Sequence, residues 1–172
     1  MTDDDRALLD ALASLPFGRW EGRAWRHMFN DYPPQRVNTS GARWNPPGVG
    51  AVYLALDPAT ALAEGQHVID VQPRRTYARR VLYEVEMSAT RVVDLTAPGA
   101  FDVVGLSAKD IAADDHSVCR RVGGAASRLG RGGLLVPSAR AAGTNAVVLI
   151  DPENVDEAMV VLASSVVEAP AP

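Results

Sequence analysis

A segment rich in proline and glycine constrains the fold of this chain more than any other part of the sequence. Residues 41–48 read GARWNPPG, and they end a stretch from 30 to 48 that has neither helical nor strand periodicity. An apolar run, residues 49–55, follows at once, and Asp57 and Pro58 then supply a helix N-cap and a proline suited to the first helical position. Loops of this length in a compact domain are usually functional or disordered. The segment is therefore predicted to be a loop that forms part of a binding site.

The bulk composition is typical of one soluble domain that spans residues 1–172. The chain has 172 residues, 47% of them hydrophobic and 22% charged, which suffices for one sizeable core. A net charge of −4 argues against non-specific binding of nucleic acid. Cys119 is the only cysteine, which excludes an intrachain disulfide and a cysteine-based metal site. The N-terminus is acidic and no apolar run has membrane-spanning length, so we expect a cytoplasmic protein without a membrane partner.

Hydrophobic periodicity predicts more strands than helices. The predicted helices are residues 3–15 within an N-terminal segment 1–16, a helix that opens at Asp57, and the segments 107–113 and 117–129. The predicted strands are residues 23–29, 49–55, 81–87, 90–95, 133–136, 145–150 and 157–167. Helices and strands do not alternate regularly, so the pattern indicates an α+β fold and not a doubly wound α/β fold. Residues 168–172 are expected to form a frayed tail.

Two charged residues are predicted to lie on mainly apolar faces. Arg26 shares a strand face with Ala24 and Met28, and Glu64 shares the inner face of its helix with Ala61. A buried charge is costly unless a group of opposite charge meets it. Two interpretations therefore remain open: Arg26 and Glu64 form an internal ion pair, or the pair binds a ligand, with an anionic group at Arg26.

Three other polar side chains each allow a structural and a functional interpretation. Arg43 is either a solvated loop residue or an anion ligand held by a loop that glycine and proline make close-fitting and stiff. Tyr53 is either a core tyrosine or a residue whose ring and hydroxyl face a ligand. Ser138 follows Pro137 at the end of an apolar strand, where a serine ordinarily caps a turn.

The order of several short motifs is similar to that of a known family. The sequence AWRHMF lies before the loop and GLLVPSAR lies far after it, with VYLA and ALAE between them. In this order the motifs resemble the RES-domain family of bacterial toxins, from about residue 22 to residue 151. The resemblance implies a split β-sheet core with flanking helices, like that of the ADP-ribosyltransferases, arranged around a cleft for NAD+.

The resemblance also implies roles for individual residues. It assigns Arg26 and Arg43 to the pyrophosphate of NAD+, and Tyr53 to the nicotinamide ribose. Glu64 is implied to stabilise the oxocarbenium ion that forms as nicotinamide leaves. Ser138 is expected to orient the substrate and not to attack it, because the sequence places no base beside it. Catalysis is therefore expected from Glu64, Arg26 and Ser138, without a metal ion.

The function implied by the resemblance is that of a toxin in a toxin–antitoxin system. Such a toxin degrades NAD+, which is its substrate and not a cofactor, with inorganic phosphate or water as the acceptor. The expected partner is a helix-turn-helix antitoxin of the Xre class, in an oligomeric complex. Two alternatives remain open: a mono-ADP-ribosyltransferase that modifies a host protein, and a catalytically silent module that binds NAD+ or the antitoxin.

Overall fold

The computed structural model describes residues 2–168. Within them the strands are β1 (Phe17–Phe29), β2 (Ala51–Ala55), β3 (Arg80–Asp94), β4 (Gly133–Pro137), β5 (Thr144–Leu149) and β6 (Met159–Val166). The α-helices are α1 (Asp3–Ser14), α2 (Pro58–Val71), α3 (Ala100–Val103), α4 (Ala108–Ala112), α5 (Ser117–Arg128) and α6 (Val155–Ala158). Two short 3₁₀ segments are Pro73–Tyr77 and Pro152–Asn154. Most of the predicted frayed tail, 169–172, lies outside the described residues.

Local side-chain caps explain where the longer helices begin. The Asp57 carboxylate accepts the backbone N–H of Thr60 at 2.8 Å, which fixes the first turn of α2. Ser107 and Asp110 form a capping box before α4, because the Asp110 carboxylate accepts the Ser107 backbone N–H at 2.7 Å. At the end of α5, Gly130 has a φ of +63°, as expected for a glycine that stops a helix. α4 and α5 begin and end within a residue of their predicted bounds, and α2 begins where Asp57 and Pro58 predicted.

Two strands are longer than their sequence patterns indicated. β1 begins at Phe17 and not at residue 23, and β3 joins the two separately predicted strands, 81–87 and 90–95. The reason is tertiary: the two strands pair antiparallel along almost their whole length, from Phe17 opposite Val93 to Phe29 opposite Arg80. This ladder supplies backbone hydrogen bonds to segments that have no apolar alternation of their own.

The strands form two antiparallel groups that meet at only two places. One group contains β1, β3 and β6, and the other contains β2, β5 and β4. They are joined by one pair, Trp25 opposite Ala55, and by a short parallel pairing of residues 92–94 with residues 133–135. The sheet is therefore split, and a cleft opens between the groups. The predicted α+β class with a split sheet and flanking helices is confirmed.

Each face of the β2–β5–β4 group packs in a separate hydrophobic cluster. Successive side chains of a strand point to opposite faces, and Val147 and Val148 on β5 accordingly fall in different clusters. The Val147 face packs under α1 and α5, with Leu12 at its centre. The Val148 face packs toward β1 and β3, with Val85 at its centre. The β2–β5–β4 group is thus packed against apolar side chains on both of its faces.

The proline- and glycine-rich loop is held against α5 by a close approach of backbones. A Cβ atom added at Gly123 would lie 1.5 Å from the carbonyl oxygen of Trp44. Trp44 itself is only 2% exposed and belongs to the cluster under α1 and α5. The glycine at 123 is therefore needed because it lets the loop backbone lie directly on the helix.

Candidate functional site

A cavity of about 380 Å³ lies in the cleft between the two strand groups. β1, the loop, β2 and α2 each contribute one residue that the sequence had singled out: Arg26, Arg43, Tyr53 and Glu64. The fifth, Ser138, is not on the cavity wall but directly behind it, because its hydroxyl contacts Glu64. The fold therefore brings together side chains that lie far apart in the sequence. The most distant two, Arg26 and Ser138, are 112 positions apart.

The carboxylate of Glu64 is fixed by two donors that share one of its oxygens. Oε1 accepts the hydroxyl of Ser138 at 2.6 Å and the side-chain amide of Asn145 at 2.9 Å. Hydrogen bonds to a charged acceptor are short and strong. Among residues 2–168, no donor bonds to the second oxygen, Oε2. Glu64 is thus held in place while one oxygen stays available to a ligand in the cavity.

Ser138 has a structural and a positioning role at once. Its Oγ accepts the backbone N–H groups of Arg140 at 3.1 Å and Ala141 at 3.2 Å. This is the turn-capping arrangement expected for a serine after a strand. Because the hydroxyl also donates to Glu64, the turn that follows β4 sets the position of the carboxylate.

Arg26 is a partly buried cation in the wall of the cavity. Its Nη1 donates to the carbonyl oxygen of Pro34, and no carboxylate of residues 2–168 forms an ion pair with it. The internal ion pair with Glu64, one of the two interpretations of the sequence, is therefore not observed. Burial, together with the nearby charge of Arg36, lowers the pKa of Arg26 to about 10. The guanidinium stays charged at neutral pH, and an anionic group in the cavity would stabilise it.

Tyr53 and Asn45 fix the shape of the loop that carries Arg43. The Tyr53 hydroxyl accepts the backbone N–H of Trp44 at 2.9 Å and donates to Asn45 Oδ1 at 2.7 Å. The amide nitrogen of Asn45, which is fully buried, donates to the carbonyl oxygen of Val49 at 2.7 Å. Burial raises the pKa of Tyr53, so the hydroxyl stays protonated. Tyr53 lines the cavity, and the hydrogen bonds of its hydroxyl are already used within the loop.

Arg43 connects the loop to the opposite side of the cleft. Its Nη1 donates to the carbonyl oxygen of Ala113 at 2.9 Å, just before α5. The half-buried His116 at the start of α5 lines the same cavity, as does Arg140. Burial, with the charges of Arg43, Arg120 and Arg140, lowers the pKa of His116. This side of the cavity is therefore rich in cationic groups.

Three residues at the site were not predicted from the sequence: Asn145, Arg140 and His116. Asn145 is a polar residue at the start of an apolar strand, and it lies opposite Ala55 in the sheet. That polar start was the only local signal, and it equally fits a turn residue. Arg140 stands within the GLLVPSAR motif but was not assigned a role, and His116 gave no signal apart from its residue type.

His27 packs against α2 as a neutral side chain. Its Nε2 accepts the Nε–H of Arg80 at 2.9 Å, and a Cβ atom at Gly65 would lie 2.5 Å from its ring. Burial, together with the charge of Arg80, lowers the pKa of His27 to about 4. The ring is therefore uncharged at neutral pH and forms part of the cavity wall next to Arg26.

Acidification is expected to destabilise the protein through His27. An unfolded histidine has a pKa of about 6.5, above the folded value of about 4. The unfolded state then binds more protons, so this contribution to stability is complete above about pH 6.5 and is lost as the pH falls toward 4. His27→Gln keeps an acceptor for Arg80 but cannot titrate. Urea unfolding at pH 7.5 and pH 5 should give a larger loss of stability in the wild type than in His27→Gln, and equal losses would contradict this account.

The described residues hold neither a metal-binding cluster nor a membrane-spanning helix. Residues 2–168 contain no group of three or more His, Cys, Asp or Glu side chains arranged to hold a metal ion. In the same part of the chain, no helix has the length and apolar character needed to cross a bilayer.

The fold and the cavity together define a class: an α+β domain whose split sheet surrounds a cleft with two arginines and a fixed glutamate. The sequence model of the RES domain matches residues 11–168. The chain belongs to the RES domain family, which confirms the resemblance inferred from the motifs.

Proteins named NAD(+) phosphorylase MbcT from Mycobacterium bovis and Mycobacterium tuberculosis are 37% identical to the chain over 110 residues. This match covers 60% of the chain and 58% of the length of those relatives. The chain is also similar to a protein in the crystal structure of the M. tuberculosis MbcT–MbcA toxin–antitoxin complex. That match has a TM-score of 0.81 and 26% sequence identity, and it covers 95% of the chain and 93% of the other.

Proposed function

We propose that the chain is the toxin of a toxin–antitoxin pair and that it degrades NAD+ by cleaving the bond between nicotinamide and ribose. The observation that carries the proposal is Glu64, which Ser138 and Asn145 hold through one oxygen in the same cavity as the unpaired Arg26. The names of the mycobacterial relatives, NAD(+) phosphorylase, support it.

The substrate carries negative charges that complement the arginines of this cavity. NAD+ carries two negative charges on its pyrophosphate, and Arg26 on β1 and Arg43 on the loop before β2 both line the cavity. A guanidinium can bind phosphate oxygens with two parallel hydrogen bonds. With the pyrophosphate between these arginines, the nicotinamide ribose lies toward Glu64 and against the ring of Tyr53.

Cleavage needs a negative charge more than it needs an acid. The electron pair of the glycosidic bond moves to the ring nitrogen, so nicotinamide leaves as a neutral molecule and no proton has to be supplied. Positive charge develops on the ribose, where the Glu64 carboxylate stabilises it electrostatically. Ser138 acts through Glu64 as a positioning residue, since its hydroxyl holds the carboxylate at 2.6 Å.

Inorganic phosphate is the proposed acceptor. Arg140 and Arg43 line the cavity and provide a cationic surface for a phosphate ion, and the uncharged imidazole of His116 lies in the same wall. Attack by a phosphate oxygen on the ribose carbon gives ADP-ribose 1″-phosphate, and attack by water gives ADP-ribose. The phosphorylase name of the relatives favours the first product.

Incubation of the purified chain with NAD+, with and without phosphate, tests the proposal. Mass analysis of the small molecules should show nicotinamide and ADP-ribose 1″-phosphate when phosphate is present. A mass label on a co-incubated protein would indicate a mono-ADP-ribosyltransferase instead. Unchanged NAD+ under all conditions would contradict the proposal and indicate a module that only binds.

The proposed partner is a helix-turn-helix antitoxin of the Xre class. The similar protein of known structure was solved in a toxin–antitoxin complex, which supports an antitoxin but not its class. Expression of the chain alone in the cytoplasm should deplete NAD+ and arrest growth. Co-expression of a helix-turn-helix protein that is encoded next to the chain should restore the NAD+ level and growth. Growth arrest that persists in the presence of a stably bound antitoxin would contradict this partner.

Arg43→Ala is expected to raise the KM for NAD+ about 10- to 100-fold with a smaller fall in kcat. A clamp on the pyrophosphate binds substrate and transition state alike, and such binding is seen mainly in KM. The magnitude follows from about 1.5–3 kcal/mol for a hydrogen bond to a charged group. Steady-state kinetics check it, with Arg43→Lys as an intermediate that keeps the charge but not the planar fork. If KM is unchanged and kcat falls, Arg43 acts on the chemical step and its assigned role is wrong.

A further inference from the structure

A second cavity, of about 770 Å³, adjoins the first and shares residues 26–29 as a common wall. Three more arginines line it: Arg36, Arg74 and Arg75. None of its lining residues is an aspartate or a glutamate. The cavity is therefore an extension of the cleft whose lining residues include several arginines and no carboxylate.

The three arginines are not neutralised by the rest of the described chain. The Arg36 guanidinium lies 3.7 Å from the centre of the Tyr32 ring, and Arg75 donates to the Gln72 side chain at 2.8 Å. Neither they nor Arg74 form an ion pair with any carboxylate of residues 2–168. Arg79 is different: it pairs with Asp31 at 2.9 Å and does not line the cavity.

The two cavities contain more arginines than the two phosphate groups of NAD+ can bind. Its two phosphate charges are already matched by Arg26 and Arg43 under the proposed function. Arg36, Arg74 and Arg75 then have no phosphate to bind. In Rossmann-type folds that select NAD+, an acidic residue binds the 2′-hydroxyl of the adenosine ribose, whereas an arginine there accommodates a 2′-phosphate. The same charge preference is expected in any fold, because a carboxylate repels a phosphate and a guanidinium binds it. The second cavity has arginines and no acid.

We propose that the second cavity holds the adenosine half of the substrate and binds a 2′-phosphate, so that NADP+ is consumed at least as efficiently as NAD+. Tyr77, which is 94% exposed, and Tyr32 line this cavity and offer aromatic surface to the adenine ring. The inference rests on the proposed function, since the same nicotinamide–ribose bond breaks and the same acceptor attacks. With phosphate, the products are nicotinamide and 2′-phospho-ADP-ribose 1″-phosphate.

Measurement of kcat/KM for NADP+ and for NAD+, at one ionic strength and one phosphate concentration, tests the inference. The wild type should give an NADP+ to NAD+ ratio of one or more. The triple variant Arg36→Gln, Arg74→Gln, Arg75→Gln should lower this ratio about 10- to 100-fold, because a charged hydrogen bond to the 2′-phosphate is lost. Arg79→Gln removes a nearby arginine that does not line the cavity and should leave the ratio unchanged.

The outcomes separate this inference from the proposed function. Consumption of NAD+ with an NADP+ to NAD+ ratio below one leaves the proposed function standing and overturns the inference. A ratio of one or more that the triple variant does not change overturns the role of the arginines. Failure of the wild type to consume either dinucleotide overturns the proposed function and this inference with it. Because the readout is a ratio within one protein, partial unfolding of the variant does not alter it.

Discussion

Glu64→Gln is expected to lower the turnover of NAD+ by a few hundred-fold while the affinity for NAD+ changes little. Glutamine keeps an oxygen that can accept from Ser138 and Asn145, as Glu64 Oε1 does. What is lost is the negative charge that faces the developing cation on the ribose. Removal of one such preorganised electrostatic contact costs about 3–4 kcal/mol in the barrier, which corresponds to this fall in rate.

Single-turnover kinetics and NAD+ titration by calorimetry check the prediction for Glu64→Gln. Glu86→Gln is a suitable control, because Glu86 is exposed on β3 and does not line the cavity. Turnover of Glu64→Gln within about threefold of the wild type would remove Glu64 from the mechanism. A melting curve that matches the wild type would show that the loss is chemical and not structural.

Gly123→Ala is expected to destabilise the fold by about 3 kcal/mol or more, at the upper end of the range for overpacked sites. The added Cβ would lie 1.5 Å from the carbonyl oxygen of Trp44, and that atom belongs to backbone that cannot rotate away. Gly124 is the matched control on the same helix. A Cβ atom there would meet Pro46 Cγ at 3.4 Å, an ordinary contact. Alanine also favours a helix over glycine by about 0.8–1.0 kcal/mol, so Gly124→Ala should be neutral or stabilising.

Thermal unfolding of the two alanine variants measures this difference directly. For a chain of this size, a loss of about 3 kcal/mol lowers Tm by roughly 6–12 °C. Gly123→Ala should also raise the KM for NAD+, because the loop that it displaces carries Arg43. Equal Tm values for the two variants would contradict the packing of the loop on α5.

The sequence predicts those parts of the fold that depend on short-range signals. Asp57 and Ser107 were expected to begin helices. Asp57 caps α2 and Ser107 caps α4, each through hydrogen bonds with residues close to it in the sequence. The joining of two predicted strands into β3 could not be predicted in this way. It depends on pairing with β1, whose first half has no apolar alternation of its own.

At the cavity, too, contacts between residues distant in sequence could not be predicted. The apolar faces around Arg26 and Glu64 show from sequence alone that each charge needs a partner, but not which partner. The structure places them in one cavity without an ion pair, and the partners of Glu64 are Ser138 and Asn145. These contacts join residues 74 and 81 positions apart, a separation over which no periodic pattern carries information.

For Tyr53 and Gly123, the local sequence does not identify the groups that each residue contacts in the folded chain. The sequence allows Tyr53 to be either a core tyrosine or a residue whose ring and hydroxyl face a ligand, and in the structure its hydroxyl bonds to the loop at Trp44 and Asn45. Gly123 had no assigned role, because a glycine within a helix gives no indication of which backbone approaches it. Both residues serve the loop, and the geometry of the loop depends on contacts that only the folded chain provides.

A crystal structure of the Glu64→Gln variant with NAD+ is the most direct test of the account. We expect a hydroxyl of the nicotinamide ribose within about 3.2 Å of the side chain at position 64, and a pyrophosphate oxygen within about 3.2 Å of the Arg26 guanidinium. The adenosine half should occupy the cavity lined by Arg36 and Arg74. NAD+ bound with its nicotinamide ribose away from position 64, or outside the cleft between the two strand groups, would contradict the central claim.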